Sequence, residues 1–417
     1  MKLIHTSDWH LGQRFYTYDR NDITHREHDA FIWQLCKIIQ QHHPDALLVS
    51  GDIFDNIAPS NALRTRFVEY VMQLHNSSPS SAIVITAGNH DSGSLLDIEK
   101  KLWRYHNVHV FGTCQRHANG SFDPTQFIVQ LEGKGNVVAT PYFYLSNYPA
   151  ATEGLPAAER PQAFYQLLLD EVLKHNEAQL PVVLMAHLAI QGCNTRGHEE
   201  SIGRIETLPP SLLGQGYDYA ALGHIHKPQT LTPGGKGIIR YCGSPIPLSF
   251  TEDYQHSVSL VEIASHNSDP IITELPITPL RQMLTLQSNS LDEGIVMLEK
   301  LSSEEHSYVR LLVNTNELLP PNANDRARKV SEGRAWNFCE VRAIQRDEEN
   351  TRKETAQATG LADIHQIQQL HPMEIAKEYM QRIGKTLSDT QYMLLNEAVE
   401  SARHPKEAQK GEEQHEN

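Results

Sequence analysis

Five short apolar runs constrain this chain more than anything else in it. Residues 2–6 (KLIHT), 46–50 (ALLVS), 82–87 (AIVITA), 182–186 (VVLMA) and 219–222 (YAAL) are too brief for helices. Most are rich in branched side chains, the pattern of strands buried on both faces. Among them, residues 30–40 and 63–74 carry apolar side chains at helical spacing; Leu63, Phe67, Tyr70, Val71 and Leu74 fall on one face. Strand–helix alternation of this kind builds an α/β domain. The later runs 237–242 and 258–262 sit among turn residues and read as antiparallel strands.

A second unit follows. Strand 283–287, helix 291–301, strand 308–313, helix 325–333 and strand 339–344 predict a small α+β module. The stretch 346–360 (RDEENTRKETAQATG) is almost wholly polar and reads as a linker. Two short amphipathic helices come after it. The first is opened by Pro372 and stopped by Gly384, with Met373, Ala376, Tyr379, Met380 and Ile383 on one face. The second starts at a capping box, Ser388 with Gln391, and carries Met393, Leu394, Leu395, Ala398 and Val399. From Arg403 onward the tail is expected to be disordered.

Length and charge narrow the function. A chain of 417 residues has room for two or three domains. With Lys+Arg 36 against Asp+Glu 51 the net charge is −15, which excludes a broadly basic nucleic-acid coat but not a local basic groove. Five scattered cysteines with no CxxC pair argue against a disulfide framework and a thiolate zinc site, and fit a reducing compartment. No apolar run approaches the ~18 residues of a membrane helix, and no signal peptide is visible, so the expectation is a cytoplasmic protein without membrane contact.

The 23 histidines matter by placement. Asp8-Trp9-His10, Gly51-Asp52, Gly88-Asn89-His90-Asp91, His187 and Gly223-His224-Ile225-His226 each begin within two residues of a strand end. Strand ends in α/β sheets converge on one crevice, so residues far apart in sequence meet there. Asp8 with His10, and His224 with His226, are two apart and can face the same crevice. A carboxylate such as Asp52 can bridge two ions, and the Asn89 amide oxygen is a neutral hard ligand. Oxygen and imidazole without thiolate suit Mn, Fe or Zn rather than Ca. Any one cluster alone is an ordinary turn; all five in order at strand ends point to two divalent cations ~3.5–4 Å apart, the arrangement that catalyses in-line displacement at phosphorus.

The order DxH, GD, GNHD, H, GHxH resembles that of the calcineurin-like metallophosphoesterase superfamily. The segments SDWHLGQRFY (7–16), SGDIFD (50–55), AGNHDS (87–92), ALGHIHKPQ (221–229) and YCGSPIPLSF (241–250) closely resemble the SbcD family of bacterial nuclease subunits, relatives of the double-strand-break repair nucleases of archaea and eukaryotes. The resemblance is dense over residues 1–265, looser over the small module and weak in the C-terminal helices. It implies a metallophosphoesterase β-sandwich flanked by helices at 1–270, a small α+β capping domain at 276–346, a polar linker at 347–360, partner-binding helices at 361–402 and a tail at 403–417.

The same resemblance implies a site. Asp8, His10, Asp52 and His226 would hold one metal; Asp52, Asn89, His187 and His224 the other, with Mn2+ the leading candidate. His90 would protonate the leaving oxygen and Asp91 would orient it; Asp91 could equally cap the next helix. Asp55 stands where relatives carry Asp or His. The family implies 3′→5′ exonuclease action on duplex DNA and endonuclease action on single strands or hairpins, in DNA repair, recombination and replication, together with an ATP-driven SMC-like partner, SbcC, docked by the C-terminal helices. It also implies a homodimer contact through residues 61–75 and 94–105, where Leu95, Leu96, Ile98, Leu102 and Trp103 could instead be plain core. Arg14, Tyr16, Arg20, Arg64, Arg66 and Lys227 lie near the clusters as candidate DNA contacts. Two rivals remain at this level: a stand-alone metallophosphoesterase acting on a nucleotide or phosphoprotein, and a binding protein with a degenerate site.

Overall fold

The computed structural model describes residues 1–20, 26–118, 120–151, 154–195, 207–232, 237–302 and 306–344. The expected linker, C-terminal helices and tail lie outside the described residues.

Two six-stranded sheets face each other. The first runs in the order Ile271–Pro276, Ser257–Glu262, Lys2–Thr6, Ala46–Ser50, Ala82–Thr86, Val108–Phe111. The second runs Gln229–Leu231, Ile238–Tyr241, Tyr219–Gly223, Val182–His187, Gly135–Ala139, Ile128–Leu131. All five runs singled out in the sequence are strands near the middle of these sheets, and each is paired in parallel with a neighbour. Alternation then sorts their side chains. Leu3, Leu48 and Val84 point into the seam between the sheets and meet Val137, Leu184 and Ala221. Ile4, Leu47, Val49 and Ile85 point the other way, onto Phe31, Ile32 and Leu35 of the helix Glu27–His42 and Phe67, Val71 and Leu74 of the helix Asn61–Ser77. The helix Arg160–Lys174 covers the second sheet with Phe164, Leu168 and Val172. This is the α/β alternation that the patterning predicts, arranged as the sandwich flanked by helices that the resemblance implies.

Three expectations are corrected. Ile238–Tyr241 is antiparallel to Gln229–Leu231 but parallel to Tyr219–Gly223. Gln229–Leu231 forms the other arm of its hairpin at the sheet edge, so the second arm returns alongside Tyr219–Gly223 in the same direction. The small module is a parallel sheet, not α+β. Gln282–Ser288, Ser307–Asn314 and Asn337–Ile344 pair in parallel in chain order, and the helices Leu291–Lys300 and Ala323–Ser331 are the crossovers that parallel neighbours require. Its core gathers Leu298, Val309, Leu311, Ala327, Trp336 and Phe338. Finally, Ile271–Pro276, beyond the expected limit of the first domain at 270, is still an edge strand of the sandwich.

The module packs on the sandwich beside the DxH loop. The Tyr308 ring lies 4.7 Å from that of Phe15, and Phe15 lies 5.2 Å from Phe250. The Tyr308 hydroxyl donates to Glu27, and the Tyr18 hydroxyl to the Phe338 carbonyl at 2.9 Å.

Candidate metal centre

Both sheets end at one crevice, and backbone contacts there are unusually close. Gly51, Gly88 and Gly223 are required. A Cβ on Gly51 would come within 2.3 Å of His187 Nδ1, one on Gly88 within 2.1 Å of Asp52 Oδ1, and one on Gly223 within 1.9 Å of the Ser50 carbonyl oxygen. The loop at 8–11 runs alongside 51–53: Asp8 N–H donates to Gly51 at 3.0 Å, His10 N–H to Asp52 at 3.1 Å and Leu11 N–H to Ile53 at 2.9 Å. Asp8, His10, Asp52 and His224 all have left-handed backbone, with φ of 54°, 48°, 52° and 89°. Such conformations cost about 1–3 kcal/mol each and persist where the surroundings enforce them, as at functional sites.

The expected ligands meet in two adjacent groups, Asp8 with His10 and His226, and Asp52 with His187 and His224. Asp52 lies between them: its Oδ2 is 3.2 Å from His187 Nε2 and 3.6 Å from His10 Nε2. The Asn89 amide oxygen is 3.1 Å from His187 Nε2 and 2.9 Å from His224 Nδ1, so Asn89 joins the second group. Asp8 accepts from Ser7 Oγ and from the His224 N–H at 3.0 Å. All seven ligand candidates therefore converge.

The electrostatics are those of a site built for cations. Burial disfavours the Asp52 anion, yet the His187 and His10 charges hold its carboxyl well below the usual range. Burial also opposes protonation of His10 and His187, but the Asp55 hydrogen bond with Asp52 and Asp8 nearby raises His10 to about 8, and Asp52 chiefly raises His187 to about 9. Burial lowers His226 to about 3. His10 Nε2 is buried with no hydrogen-bond partner, an unsatisfied polar atom of the kind a bound cation would take up. Carboxylate, amide oxygen and imidazole together fit a pair of divalent cations.

His90 sits at the rim. Its Nδ1 contacts the Asp55 carbonyl oxygen at 2.9 Å, its N–H donates to Asp52 Oδ1 at 2.9 Å, and its ring is 4.9 Å from that of His10. Asp55 also places Oδ1 3.2 Å from His10 Nδ1. The residue that orients His90 is thus Asp55, through its backbone, and not Asp91. The Asp91 carboxylate turns inward to accept from the N–H groups of Gly88 (2.8 Å), Ile53 (3.1 Å) and Phe54 (2.8 Å), fastening the GNHD loop to the GD loop. Burial, then the Asp52 charge, pushes it up to about 6. No side-chain hydrogen bond caps the short helix after it, so the capping alternative also falls away.

The basic candidates divide. Arg20 is fully buried, donating to Glu27 through Nε at 2.9 Å and to Gln13 through Nη1 at 2.7 Å, so it is a structural ion pair rather than a DNA contact. Arg64 and Arg66 pair with Glu99 and Asp29, each at 3.2 Å. Arg14 is exposed, Lys227 is half-buried, and Tyr16 lies on the surface with its ring 6.0 Å from Phe250. Of the apolar residues at 94–105, Leu96 and Trp103 are core, while Ile98 and Leu102 are exposed.

Sequence reasoning missed Glu252. It is buried 26 positions after His226, and its Oε1 lies 3.1 Å from His226 Nδ1. Neither periodicity nor a spacing rule marks it; the GSPIPLSF segment just before it was the available cue.

A polar crevice with two adjacent groups of hard and borderline donors defines a metallophosphoesterase, and the comparisons agree. The family model of the calcineurin-like phosphoesterases matches residues 1–228. Among curated proteins, the SbcD subunit of the SbcCD nuclease of Rhodobacter capsulatus is 31% identical over 318 residues, 72% of this chain and 76% of that protein. The SbcD protein of Escherichia coli K12 is 27% identical over 95% of this chain and 99% of its own length. That of Bacillus subtilis is 23% identical over 85% and 88%. The chain belongs to the calcineurin-like phosphoesterases and, within them, to the SbcD family of nuclease subunits. It is a metal-dependent phosphodiester hydrolase. No helix among the described residues is long and apolar enough to cross a membrane.

Proposed function

We propose that this chain is the catalytic subunit of a DNA nuclease that works with an SbcC-type ATPase. In that complex it cleaves duplex ends as an ATP-dependent 3′→5′ exonuclease and opens single strands and hairpins as an endonuclease. The observation that carries the reading is the position of Asp52 between the two donor groups. Asp8, His10, Asp52 and His226 would hold one divalent ion; Asp52, Asn89, His187 and His224 the other, with Mn2+ the favoured metal. Bound there, the ions supply Lewis acidity for the phosphate and for a water nucleophile.

The chain's own groups do the rest. The Asp55 carbonyl holds His90 by Nδ1 and leaves Nε2 to deliver a proton to the leaving oxygen. Asp91 locks the loops that carry Asn89 and Asp52. A nucleic-acid substrate is supported by Tyr144, an exposed ring 5.2 Å from Tyr142, which lies 6.3 Å from the ring of His187. Exposed aromatics stack bases without regard to sequence. Arg14, which also donates to the Thr17 carbonyl at 3.0 Å, Tyr16 and Lys227 are the other candidates for backbone contact. Arg64 and Arg66, paired with acids, are weaker ones. Val68, Ile98, Leu102 and Tyr105 are exposed apolar side chains within residues 61–75 and 94–105, the stretches that would meet a second copy.

Incubating the protein with hairpin DNA and Mn2+, with and without the ATPase partner and ATP, tests the reading. Cleavage of single strands by the chain alone, and of duplex ends only with partner and ATP, is expected. Hydrolysis of nucleotides or phosphoproteins with no action on DNA would refute it. Truncation after Arg346 should preserve Mn2+-dependent cleavage of single strands but abolish co-purification with the partner. Retained binding would show that the terminal helices do not dock it.

A further inference from the structure

We propose that Glu252 is a positioning residue for the metal centre: it fixes the tautomer and ring angle of His226, and so makes the ion held by Asp8, His10 and His226 depend on the loop at 243–252. The proposal rests on the two-ion reading above.

A carboxylate oxygen 3.1 Å from His226 Nδ1 accepts a hydrogen bond from an Nδ1–H and so favours the tautomer whose Nε2 lone pair faces the ion, the form a metal requires. Glu252 is itself held on both sides. Its other oxygen accepts from Ser244 Oγ at 3.1 Å and from the Leu248 N–H at 3.0 Å. The Ser244 N–H donates to the His226 carbonyl at 3.0 Å, and the Ser244 carbonyl lies 2.9 Å from His256 Nδ1. The loop therefore grips the backbone of His226 and its ring at once. Gly243 permits this: it has φ of 80°, and a Cβ there would come within 2.4 Å of the His226 carbonyl oxygen. Glu252 is almost fully buried, and burying a carboxylate is expensive unless its partners need it. Across the centre, the corresponding partner of His187 Nδ1 is a neutral group, the Ser50 carbonyl, at 2.8 Å. The two ion positions thus differ in the charge behind an imidazole, and only one should respond to changes at Glu252.

The test is a Mn2+ titration of the full-length protein followed by EPR, with Co2+ absorption spectra in parallel, for wild type, Glu252→Gln and Ser244→Ala. Wild type should bind two equivalents. Glu252→Gln should weaken one of them by ~10–100-fold, the usual scale for such partners, and change the Co2+ spectrum of that ion alone. Ser244→Ala should act in the same direction by several-fold. A purely structural role would instead lower the melting temperature and weaken both ions together or neither. Two ions at wild-type affinity in folded Glu252→Gln would overturn the proposal. If that variant does not fold, unchanged affinities in Ser244→Ala overturn it equally. A wild type that binds a single ion would refute the two-ion reading itself.

Discussion

The five strand-end loops and the module at 282–344 follow opposite rules. The module is regular. Its strands are parallel in chain order, its helix at Leu291–Lys300 is capped by Ser290, and its interior is Leu298, Val309, Leu311, Trp336 and Phe338. Around the metal centre the backbone is left-handed at Asp8, His10, Asp52 and His224, and buried acids and imidazoles crowd together. Apolar burial justifies the first arrangement energetically. In the second, hydrogen bonds and ion pairs hold a strained backbone, and the sandwich beneath enforces it. The centre is therefore where substitutions should remove chemistry, and the module where they should remove stability.

The largest effect tests the shared ligand. Asp52→Ala should abolish hydrolysis and lower bound metal, measured by elemental analysis beside a Mn2+-dependent assay. Full metal content with wild-type activity would break the assignment. Next comes His90→Ala. It should lose a factor of ~10²–10⁴ in rate while keeping both ions; loss of the metals would make His90 structural instead.

In the module, Leu311 is fully buried. Leu311→Ala should cost ~2–5 kcal/mol in a urea melt, yet leave hydrolysis of a small phosphodiester intact at temperatures where it stays folded. A matching loss of rate would show that the two regions are not separable in this way.

The smallest effect is a pH profile of the metal-free protein. Burial lowers His5 to about 3 and His28 to about 4, from 6.5. Unfolding lets both take protons, so stability falls as pH drops below about 6.5, partly offset by Asp91, which is raised to about 6. His10 and His187 act oppositely. Raised to about 8 and 9, their contribution is full below 6.5 and fades as pH climbs through those values. Thermal melts in EDTA should peak near pH 6.5, and bound Mn2+ should flatten the alkaline limb by replacing the protons. A profile that rises steadily to pH 9 would contradict these assignments.

How much was legible in the sequence depends on the range of each interaction. The ligand clusters were legible because each is local: glycine for close approach and Asp, His or Asn at a strand end. The module's order was legible because helical and strand periods alternate cleanly from 282 to 344. Arg20 was misread as a DNA contact because its type suggested a phosphate partner, whereas Glu27 lies 7 positions away; Asp91 was misread as orienting His90 because it follows it directly, whereas its partners reach 38 positions back. Glu252 was missed because what identifies it is its contact with His226, 26 positions away, and the GSPIPLSF segment before it is a cue that names no residue.

The sequence by itself determined the donors, their order and the strands that present them, since these depend on residue type and short spacing. The tertiary structure decided which donors lie together, that Asp52 stands between the two groups, that Asp55 rather than Asp91 holds His90, and that Glu252 backs His226. Those are pairings across two sheets, fixed by how the strand ends register at the crevice, and spacing along the chain carries no information about them.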